Sequence, residues 1–396
     1  MTHAHRNCPF YRERMDAAGF DPTHAGPAGL KRLPLLTKAD IRAHIADMCD
    51  RSVPGGLHPF NTGGSTGEPL QFFTCRGRQA SDQAARARSR RWFGIDLGQR
   101  EFYLWGSPVE LSLQDRARGL RDRLTNHRLV SAFNMTPAAM QAALDEVRRF
   151  DPVHIFAYPS SLARLLCFAR ECGRRIEAPS LRAVFVSGEV FTRADRAVIE
   201  EAFAVPVADG YGSREGGFVA HQCPMGSYHV TVESHVVELL DDKGDDVHPG
   251  ALGEIVLTHL DAFGMPFIRY RTGDMARRGA EHCPCGRPHD VITSIEGRRT
   301  DMLRTTSGGL AHGLSVIYVL RDAPGIAEFK VTQAPSLDLD VQIVPRGKLS
   351  PPQIEGIARG LRRQLGESLE VRIRVVDRIP PDPSGKHRHV VGPPVP

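Results

Sequence analysis

The sequence of 396 residues contains no long apolar run, and this absence excludes one class of protein. No stretch approaches the roughly 18 consecutive apolar residues that a membrane-spanning helix needs. The N-terminus, MTHAHRNCPFYRERMD, lacks the apolar core of a signal peptide. We therefore expect a cytoplasmic protein without a membrane span.

Internal repeats and low-complexity tracts are also missing, and the excess of one charge sign is small. Lys and Arg number 51 against 46 Asp and Glu, a net charge of +5. This excess suits an anionic ligand but does not demand a nucleic-acid partner, and we expect none. The densest basic segment, residues 78–92, is rich in alanine and is typical of a helix with a solvated basic face.

Eight cysteines occur in a chain without an export signal, so free thiols or a metal site are expected rather than disulfides. Cys223, His229, Cys283 and Cys285 supply the four ligands that a tetrahedral structural zinc ion takes. A single residue separates Cys283 from Cys285, where two or more are usual, so this spacing is a weak signal. Unligated thiols are the alternative, and spare candidate ligands are His221, His282 and His289.

Hydrophobic periodicity divides the chain into two regions. Residues 182–189 form a short, β-branched run ended by glycine, Thr192 is placed to cap a helix over 193–203, and a strand-like segment follows at 206–213. This order predicts a βαβ unit. The period then shifts to two, which predicts a hairpin with strands over 229–240 and 253–260.

The C-terminal region has its own compact pattern of strand, strand, helix and strand. The helix is expected over 351–365, with Ser350 as its cap and Pro351 in its first turn. The sequence therefore predicts an α/β protein with two domains. The larger covers residues 1–300, and a small α+β domain covers 301–396.

Five clusters of glycine, hydroxyl and charged residues interrupt these patterns. They are TGGSTGEP (62–69), DGYGSREGG (209–217), RYRTGD (269–274), EGRRTD (296–301) and SGK (384–386). The first offers unhindered N–H groups and hydroxyls, which suit phosphate oxygens. It is not a Walker A loop, because Glu68 stands where that motif needs lysine. A Pro/Gly-rich segment precedes Ser65 where a nucleophile elbow needs a strand, and Pro69 follows within four residues, so we expect no hydrolase nucleophile there.

Together and in this order, the clusters resemble the acyl-adenylate-forming superfamily. The similarity is greatest to its phenylacetate–CoA ligase-like branch, which includes CapK-like homologues. It runs nearly end to end, from CPFYRERMDAAGFDP through YPSSLARLL and VSGE to SGKHR. The resemblance implies a large N-terminal α/β adenylation domain with mixed sheets. It also implies a small mobile C-terminal domain that turns about Asp301.

The resemblance implies a role for each cluster. The residues that would hold the β- and γ-phosphates of ATP are Thr62, Gly63, Gly64, Ser65, Thr66 and Gly67. Those that would form the adenine pocket are Ser187, Gly188, Glu189, Tyr211 and Gly212. Ser213 would approach the α-phosphate, and Glu215 would hold Mg²⁺.

The remaining roles fall on residues nearer the C-terminus. Asp274 would accept the ribose hydroxyls, with Arg298 close by. Lys386 would reach into the site and bond the carboxylate and α-phosphate oxygens. The branch also has a similar arrangement of cysteines and histidine, which favours a structural zinc ion at Cys223, His229, Cys283 and Cys285.

The resemblance implies ATP-dependent activation of a carboxylic acid, usually aromatic, followed by acyl transfer to CoA. Two departures keep alternatives open. Residues 305–310 replace the Gly-Val-Asn-Val type of turn that follows the hinge in phenylacetate–CoA ligases, so an amine acceptor or a CapK-like role in polysaccharide biosynthesis is an alternative. Arg214 stands where a small or apolar residue is frequent, and would face either an anionic substrate or solvent.

Two hypotheses from other classes are weighed against the ligase. One is a zinc-stabilised scaffold of the same fold, against which the intact Glu215, Asp274 and Lys386 argue. The other is a nucleic-acid-binding protein using residues 86–91, which would bind with a steep salt dependence. Assembly into a homodimer is left open.

Overall fold

The computed structural model describes residues 1–24, 26–62, 70–106, 125–132, 135–298, 302–321, 323–379 and 390–392. Two compact units divide the chain. The first comprises residues 1–60, 72–272 and 276–295, and the second comprises 61–71, 273–275 and 296–396. The domain boundary between residues 300 and 301 stays a prediction, because residues 299–301 lie outside the described residues.

The helices are α1 (Thr2–Asn7), α2 (Pro9–Ala17), α3 (Lys38–His44), α4 (Arg76–Arg91), α5 (Pro137–Phe150), α6 (Pro159–Glu171), α7 (Arg193–Ala202), α8 (Gly313–Arg321) and α9 (Pro351–Leu365), with a 3-10 helix at Pro27–Arg32. The strands as far as residue 278 are β1 (His58–Asn61), β2 (Gln71–Thr74), β3 (Glu101–Trp105), β4 (His127–Ser131), β5 (His154–Ala157), β6 (Ala183–Ser187), β7 (Val207–Ser213), β8 (Gly217–Gln222), β9 (Tyr228–Val230), β10 (His235–Leu240), β11 (Leu252–His259) and β12 (Tyr270–Arg278). The later strands are β13 (Val291–Arg298), β14 (Met302–Arg304), β15 (Leu310–His312), β16 (Ile326–Gln333), β17 (Leu339–Pro345), β18 (Val371–Val375) and β19 (Val390–Val391). No described helix has the length and apolar character needed to cross a membrane.

One large sheet dominates the first unit. In the described part of the chain it has eleven strands in the order β10-β11-β12-β13-β9-β8-β7-β6-β5-β3-β4. Strands β4, β3, β5, β6 and β7 are parallel neighbours, and β8 then pairs antiparallel with β7. Parallel neighbours need crossover connections, which α6 and α7 supply between β5, β6 and β7. This arrangement confirms the α/β fold class and the βαβ unit.

Local signals set the ends of the crossover helices. The Thr192 hydroxyl accepts a hydrogen bond from the Asp195 N–H at 3.1 Å, so α7 begins where the cap was predicted. Gly173 follows α6 with a φ of +66°, a conformation that costs glycine little. The helix therefore ends at a residue suited to reversing the chain.

The main core lies between one face of the parallel strands and helices α5, α6 and α7. Side chains alternate across a strand, so Phe102 and Leu104 share this face of β3. The largest buried members of the core are Phe102, Leu104, Met140, Leu144, Val147, Ile155, Leu162, Leu165, Leu166, Val184, Val186, Ile199 and Phe203. Burying each such side chain contributes about 1.5–3 kcal/mol relative to leaving it in water.

Helix α4 does not have the solvated basic face that its sequence predicted. Arg78 is 3% exposed. Arg86 and Arg90 make ion pairs with the fully buried Glu101 of β3. Arg86 and Arg90 are four residues apart and therefore lie on one face of the helix. The solvated-face prediction is wrong because the sheet supplies a buried acid for Arg86 and Arg90, and the Arg214 carbonyl accepts a hydrogen bond from Arg78.

The predicted hairpin is confirmed, because β10 and β11 pair antiparallel, but its first strand does not run unbroken over 229–240. The structure breaks it into β9 and β10, separated by a turn in which the N–H groups of Ser234 and His235 donate to the Thr231 carbonyl at 3.0 and 2.9 Å. The two halves have different neighbours, since β9 pairs with β8 and β13 while β10 pairs with β11. The alternation of apolar residues in the sequence continues through this turn. The pattern therefore does not predict the break between the two strands.

The second unit contains a smaller sheet with the strand order β18-β17-β16-β19. The predicted order of strand, strand, helix and strand is confirmed by β16, β17, α9 and β18. Helix α9 begins after Ser350, whose N–H donates to the Gln353 side chain at 2.8 Å. The buried core of this unit comprises Leu303, Val316, Leu320, Phe329, Val331, Leu339, Val341, Ile343, Ile357, Leu361, Leu365, Leu369 and Val390.

Candidate functional site

The carboxyl ends of β6 and β7 bring two of the predicted clusters together. The strands pair in parallel with Ser187 opposite Gly210. The Ser187 hydroxyl donates to the Gly210 carbonyl at 2.6 Å. Tyr211, the next residue along β7, is 9% exposed. Ligands of open α/β sheets bind outside the carboxyl ends of the strands, so this is the expected edge for a site.

Gly188 lies in a tight space beside two aromatic rings. Its φ is +85°, and a Cβ built on it would come within 2.9 Å of both Trp105 and Tyr158. Those rings stack on each other with their centroids 3.8 Å apart. Glycine is therefore required here both by backbone conformation and by the close approach of the rings.

Trp105 and Tyr158 lie at this edge, and sequence reasoning did not assign them to the candidate site. Each stands at the carboxyl end of a parallel strand, β3 or just after β5, and this position is the signal that could have found them. Tyr103 and Phe156, two residues earlier on the same strands, lie on the same face with their ring centroids 5.3 Å apart. All four side chains are half-buried.

Glu189 has a specific partner in the described structure. Its carboxylate accepts a hydrogen bond from the Ser160 hydroxyl at 2.5 Å. Ser160 lies in the first turn of α6, so the contact ties the residues after β6 to the start of that helix. Glu189 thus lies beside Gly188, and its role at a nucleotide stays a prediction.

The turn between β7 and β8 carries Ser213 and Glu215. The Ser213 hydroxyl accepts a hydrogen bond from the Gly216 N–H at 2.8 Å, which closes the turn. The chain shifts register between Tyr211 and Gly212. A Cβ on Gly212 would lie 2.4 Å from the Gly217 carbonyl oxygen, so only glycine fits.

Glu215 is a buried carboxylate, 7% exposed. Its Oε1 accepts a hydrogen bond from the Tyr270 hydroxyl at 3.1 Å, and the Lys38 ammonium is 3.9 Å away. Magnesium is usually held by one or two protein carboxylates together with phosphate oxygens. The donor chemistry of Glu215 fits that use.

Helix α4 supports this turn from a direction that the sequence did not predict. Arg78 donates to the Arg214 carbonyl at 2.7 Å, and Asp82 accepts from the Phe218 N–H at 3.0 Å. Burial lowers the pKa of Arg78. Burial works to raise the pKa of Asp82, but the hydrogen bond from His259 and the charge of Arg78 outweigh it and lower that pKa.

Arg214 is half-buried, with its guanidinium 5.6 Å from the centre of the Phe60 ring. This contact is of the cation–π type, in which an aromatic face attracts a positive charge. The guanidinium therefore lies against an aromatic ring rather than extending freely into water.

In the second unit, Thr62 and Leu70, on either side of the glycine-rich segment, are joined by two hydrogen bonds. Thr62 N–H donates to the Leu70 carbonyl at 3.0 Å, and Leu70 N–H donates to the Thr62 hydroxyl at 2.9 Å. Asp274 forms an ion pair with Arg298, with Oδ1 and Nε 3.6 Å apart. The other predicted residues of this unit, Gly63, Gly64, Ser65, Thr66, Gly67, Asp301 and Lys386, lie outside the described residues.

The four predicted metal ligands converge in one cluster. The ligand atoms of Cys223, His229, Cys283 and Cys285 all lie within 4.8 Å of one another. The Sγ atoms of Cys223 and Cys283 are 3.8 Å apart, and Nε2 of His229 is 3.2 Å from Sγ of Cys285. Zn–S bonds of about 2.3 Å in a tetrahedron place two sulfurs about 3.8 Å apart. The arrangement therefore fits a closed tetrahedral metal site.

The thiols of this Cys/His cluster differ in acidity. Burial raises the pKa of Cys223 to about 11. Burial also acts to raise the pKa of Cys285, but hydrogen bonds from Arg287 and Cys283 outweigh it and lower that pKa to about 7. Of the spare candidates, His221 instead bonds the Gln222 carbonyl at 2.8 Å, and His289 lies 3.7 Å from Glu233.

Comparison with known proteins adds family evidence. Residues 126–261 match the model of AMP-binding enzymes, and residues 303–392 match the CapK C-terminal domain. The chain is 27% identical to phenylacetate-coenzyme A ligase of Thermus thermophilus, covering 99% of this chain and 93% of that protein. It is 22% identical to protein CapK of Staphylococcus aureus, covering 98% of this chain and 85% of CapK.

Solved structures show the same fold. The structure of 2-hydroxyisobutyryl-CoA ligase in the postadenylation state, in complex with 2-HIB-AMP, matches with a TM-score of 0.74 at 20% identity. The match covers 99% of this chain and 86% of that one.

Proposed function

Because the chain belongs to the acyl-adenylate-forming superfamily of AMP-binding enzymes, in its phenylacetate–CoA ligase-like and CapK-like branch, we propose that it is an AMP-forming acid–CoA ligase. It activates a carboxylic acid with ATP, releases pyrophosphate and transfers the acyl group to CoA. The observation that carries this proposal is the junction of β6 and β7. There Ser187, Gly188 and Tyr211 meet beside the turn that holds Glu215.

In the first step, a carboxylate oxygen of the acid attacks the α-phosphorus of ATP, and the bond to the β-phosphate oxygen breaks. Negative charge is spread over the transferring group, so positioning and cationic stabilisation account for most of the rate. The buried edge at Ser187 and Tyr211 binds the adenine, and Ser213 lies by the α-phosphate. Asp274 accepts the ribose hydroxyls, and Lys386 donates to the oxygens that gain charge.

Glu215 is the proposed ligand of Mg²⁺, which neutralises phosphate charge when it is bound. A single buried carboxylate held by Tyr270 presents a fixed anionic ligand and leaves further coordination positions for phosphates and water. The proposed partners are therefore ATP with Mg²⁺, a small carboxylic acid and CoA.

The half-buried aromatic face of the parallel strands supports an aromatic acid as substrate. Trp105 and Tyr158 lie against Gly188, beside the proposed nucleotide edge. Flat apolar rings favour a flat apolar acyl group through stacking and burial. The pocket for the acid is proposed at this face.

We also propose that the Cys/His cluster holds a structural Zn²⁺. The four ligands leave no open coordination position, so this ion would stabilise loops and not activate a substrate. Cys223 comes directly after β8, the strand that follows the Glu215 turn, so one of the four residues is joined to the proposed Mg²⁺ ligand by a single strand.

Acid-dependent exchange of labelled pyrophosphate into ATP tests the adenylation step. A panel of aromatic and aliphatic acids is compared at equal concentration, and we expect aromatic acids to give the fastest exchange. The best acid is then offered CoA or amines as acceptor, and CoA should give a thioester. If an amide were the sole product, the acceptor would be an amine and not CoA. ATP binding without exchange for any acid would instead favour the scaffold hypothesis.

A further inference from the structure

Two residues that precede ligands of the Cys/His cluster make hydrogen bonds to strand β7. Gln222 comes directly before Cys223, and its Oε1 accepts a hydrogen bond from the backbone N–H of Asp209 at 2.9 Å. Tyr228 comes directly before His229, and its hydroxyl donates to the Asp209 carboxylate. Both bonds therefore end on one residue of β7.

The partners in this set are shielded from water. Asp209, Gln222 and Tyr228 are 6%, 8% and 5% exposed. Arg196 of α7 donates to the same Gln222 oxygen at 3.1 Å and holds that side chain in place. Burial raises the pKa of Asp209 to about 7. Leaving a buried polar group without its hydrogen-bond partner costs more free energy than leaving an exposed group without one. Breaking any of these bonds is therefore strongly unfavourable.

Asp209 is positioned to influence the proposed nucleotide edge. It precedes Tyr211 by two residues on the same strand, so both side chains lie on one face of β7. The residue between them, Gly210, accepts the hydrogen bond from Ser187. A displacement of Asp209 therefore moves the strand that presents Tyr211 and Ser213.

The Cys/His cluster is placed to restrain the other end of this set of bonds. Between Cys223 and His229, a turn is closed by the Cys223 N–H donating to the Ser227 carbonyl at 2.9 Å. A metal ion would join this turn to the segment that carries Cys283 and Cys285. Cys283 is 60 residues away from Cys223 in the sequence. Restraining Cys223 and His229 also restrains the residues that precede them.

We propose that Asp209, Gln222 and Tyr228 form a relay through which metal binding at the Cys/His cluster sets the position of β7 and hence the affinity for ATP. The inference rests on the proposed function, because Tyr211 and Ser213 are nucleotide residues only under that proposal. The three relay residues are positioning residues that do not touch the nucleotide. The metal is structural in its coordination and regulatory in its effect on the neighbouring strand.

The test measures ATP affinity with and without metal in two proteins. Wild type and Tyr228→Phe are each loaded with Zn²⁺, assayed for metal content, and then stripped with a chelator that is removed before Mg²⁺ and ATP are added. Stripping should weaken ATP binding to wild type about tenfold, the usual size of coupling between sites. Stripping should weaken ATP binding to Tyr228→Phe clearly less, by about threefold or under, because one of the two bonds that join the cluster to Asp209 is already lost.

A matched control removes a different buried tyrosine hydroxyl. Tyr11 on α2 donates to the Pro266 carbonyl at 2.5 Å, so Tyr11→Phe loses a comparable bond. This variant should keep the full metal dependence of wild type. The KM for the acid should stay unchanged in Tyr228→Phe while the KM for ATP rises, a split that general loss of stability would not produce.

Hydrogen exchange of the β7 amides, residues 207–213, tests the relay without using ATP. Stripping should speed exchange there in wild type and should have a smaller effect in Tyr228→Phe. Equal weakening of ATP binding by stripping in both proteins, or unchanged β7 exchange in stripped wild type, would overturn the relay. If loaded wild type binds no ATP while β7 exchange follows expectation, the proposed function fails, and only the coupling of the Cys/His cluster to β7 stands.

Discussion

Glu215 and Tyr270, 55 residues apart in sequence, are joined by a hydrogen bond of 3.1 Å between the carboxylate and the phenolic hydroxyl. The first lies in the turn after β7 and the second begins β12. Both are buried, so the carboxylate is held in one orientation. The bond gives the proposed magnesium ligand a fixed position before any ligand arrives.

Replacing Glu215 by Gln should lower the rate of pyrophosphate exchange roughly 100- to 1000-fold, because the metal's charge stabilisation is worth several kcal/mol. Tyr270→Phe keeps the carboxylate and removes only its hydrogen bond, so its loss should stay below about tenfold. Exchange is measured over a range of Mg²⁺ concentrations. Equal losses in the two variants would remove Glu215 from its proposed role.

Lys386→Ala should reduce adenylation by about 100-fold or more, the usual cost of losing one donor to a developing anion. Hydrolysis or thiolysis of a chemically made acyl-adenylate should change far less, since that bond is already formed. Lys348→Ala removes an exposed lysine of the same unit and serves as the control. A Lys386 variant that exchanges pyrophosphate as fast as this control would contradict the assignment.

Gly188→Ala should abolish most acid-dependent exchange while leaving the protein folded. The new methyl group would come within 2.9 Å of Trp105 and Tyr158 and push their stacked rings away from the proposed pocket. Gly173→Ala is the matched control, because Gly173 also has a positive φ but has no atom within 4 Å of an added Cβ. Both variants should lose stability in thermal unfolding because of the positive φ, Gly188→Ala more because of its clash with the rings, and only Gly188→Ala should lose exchange.

The free energy of unfolding should fall as the pH drops from about 6.5 towards 4, because buried histidines must stay neutral. Burial lowers the pKa of His154 to about 2 and those of His221 and His235 to about 4. The unfolded chain binds protons below its ordinary histidine pKa of 6.5, whereas the folded chain does not. Each such histidine contributes a slope of up to about 1.4 kcal/mol per pH unit.

The Asp209 carboxyl group has the opposite effect on how the free energy of unfolding changes with pH. Its raised pKa makes the folded chain hold a proton between about 4 and 7 that the unfolded chain releases, so its contribution to stability is lost as the pH rises. Urea unfolding at pH 7.5 and 5.5 measures the net effect. His154→Gln should show a smaller loss than wild type, while the exposed His248→Gln should match wild type. A larger loss in His154→Gln would contradict the expectation.

Wild-type protein should hold one zinc ion per chain, and Cys283→Ser should hold none, because three ligands bind zinc far more weakly than a closed set of four. Metal content after gel filtration is the direct measurement. Cys172→Ser, which removes an exposed free cysteine, should keep the ion. The melting temperature should fall in Cys283→Ser, and zinc retained at wild-type stoichiometry would exclude Cys283 as a ligand.

The sequence predicted the elements whose signals are local. The β6–α7–β7 unit follows from a short β-branched run, a threonine cap and a second strand, and each of these signals is complete within about ten residues. The same holds for α9 with its Ser350 cap. Neither the turn at Thr231 nor the buried face of α4 could be predicted in this way, because both depend on neighbours distant in sequence.

For the candidate site too, local sequence features could be predicted and contacts between distant segments could not. The sequence alone determined the motifs, their order and the cysteine and histidine residues proposed as metal ligands, because these depend only on which side chains are present. Tertiary structure alone decided that Tyr270 holds Glu215, that Trp105 and Tyr158 close on Gly188, and that Arg78 supports the Arg214 turn. Each of these contacts joins segments that only the packing of sheet and helices brings together. Burial, which makes such contacts strong, is a property of the folded molecule and not of any residue by itself.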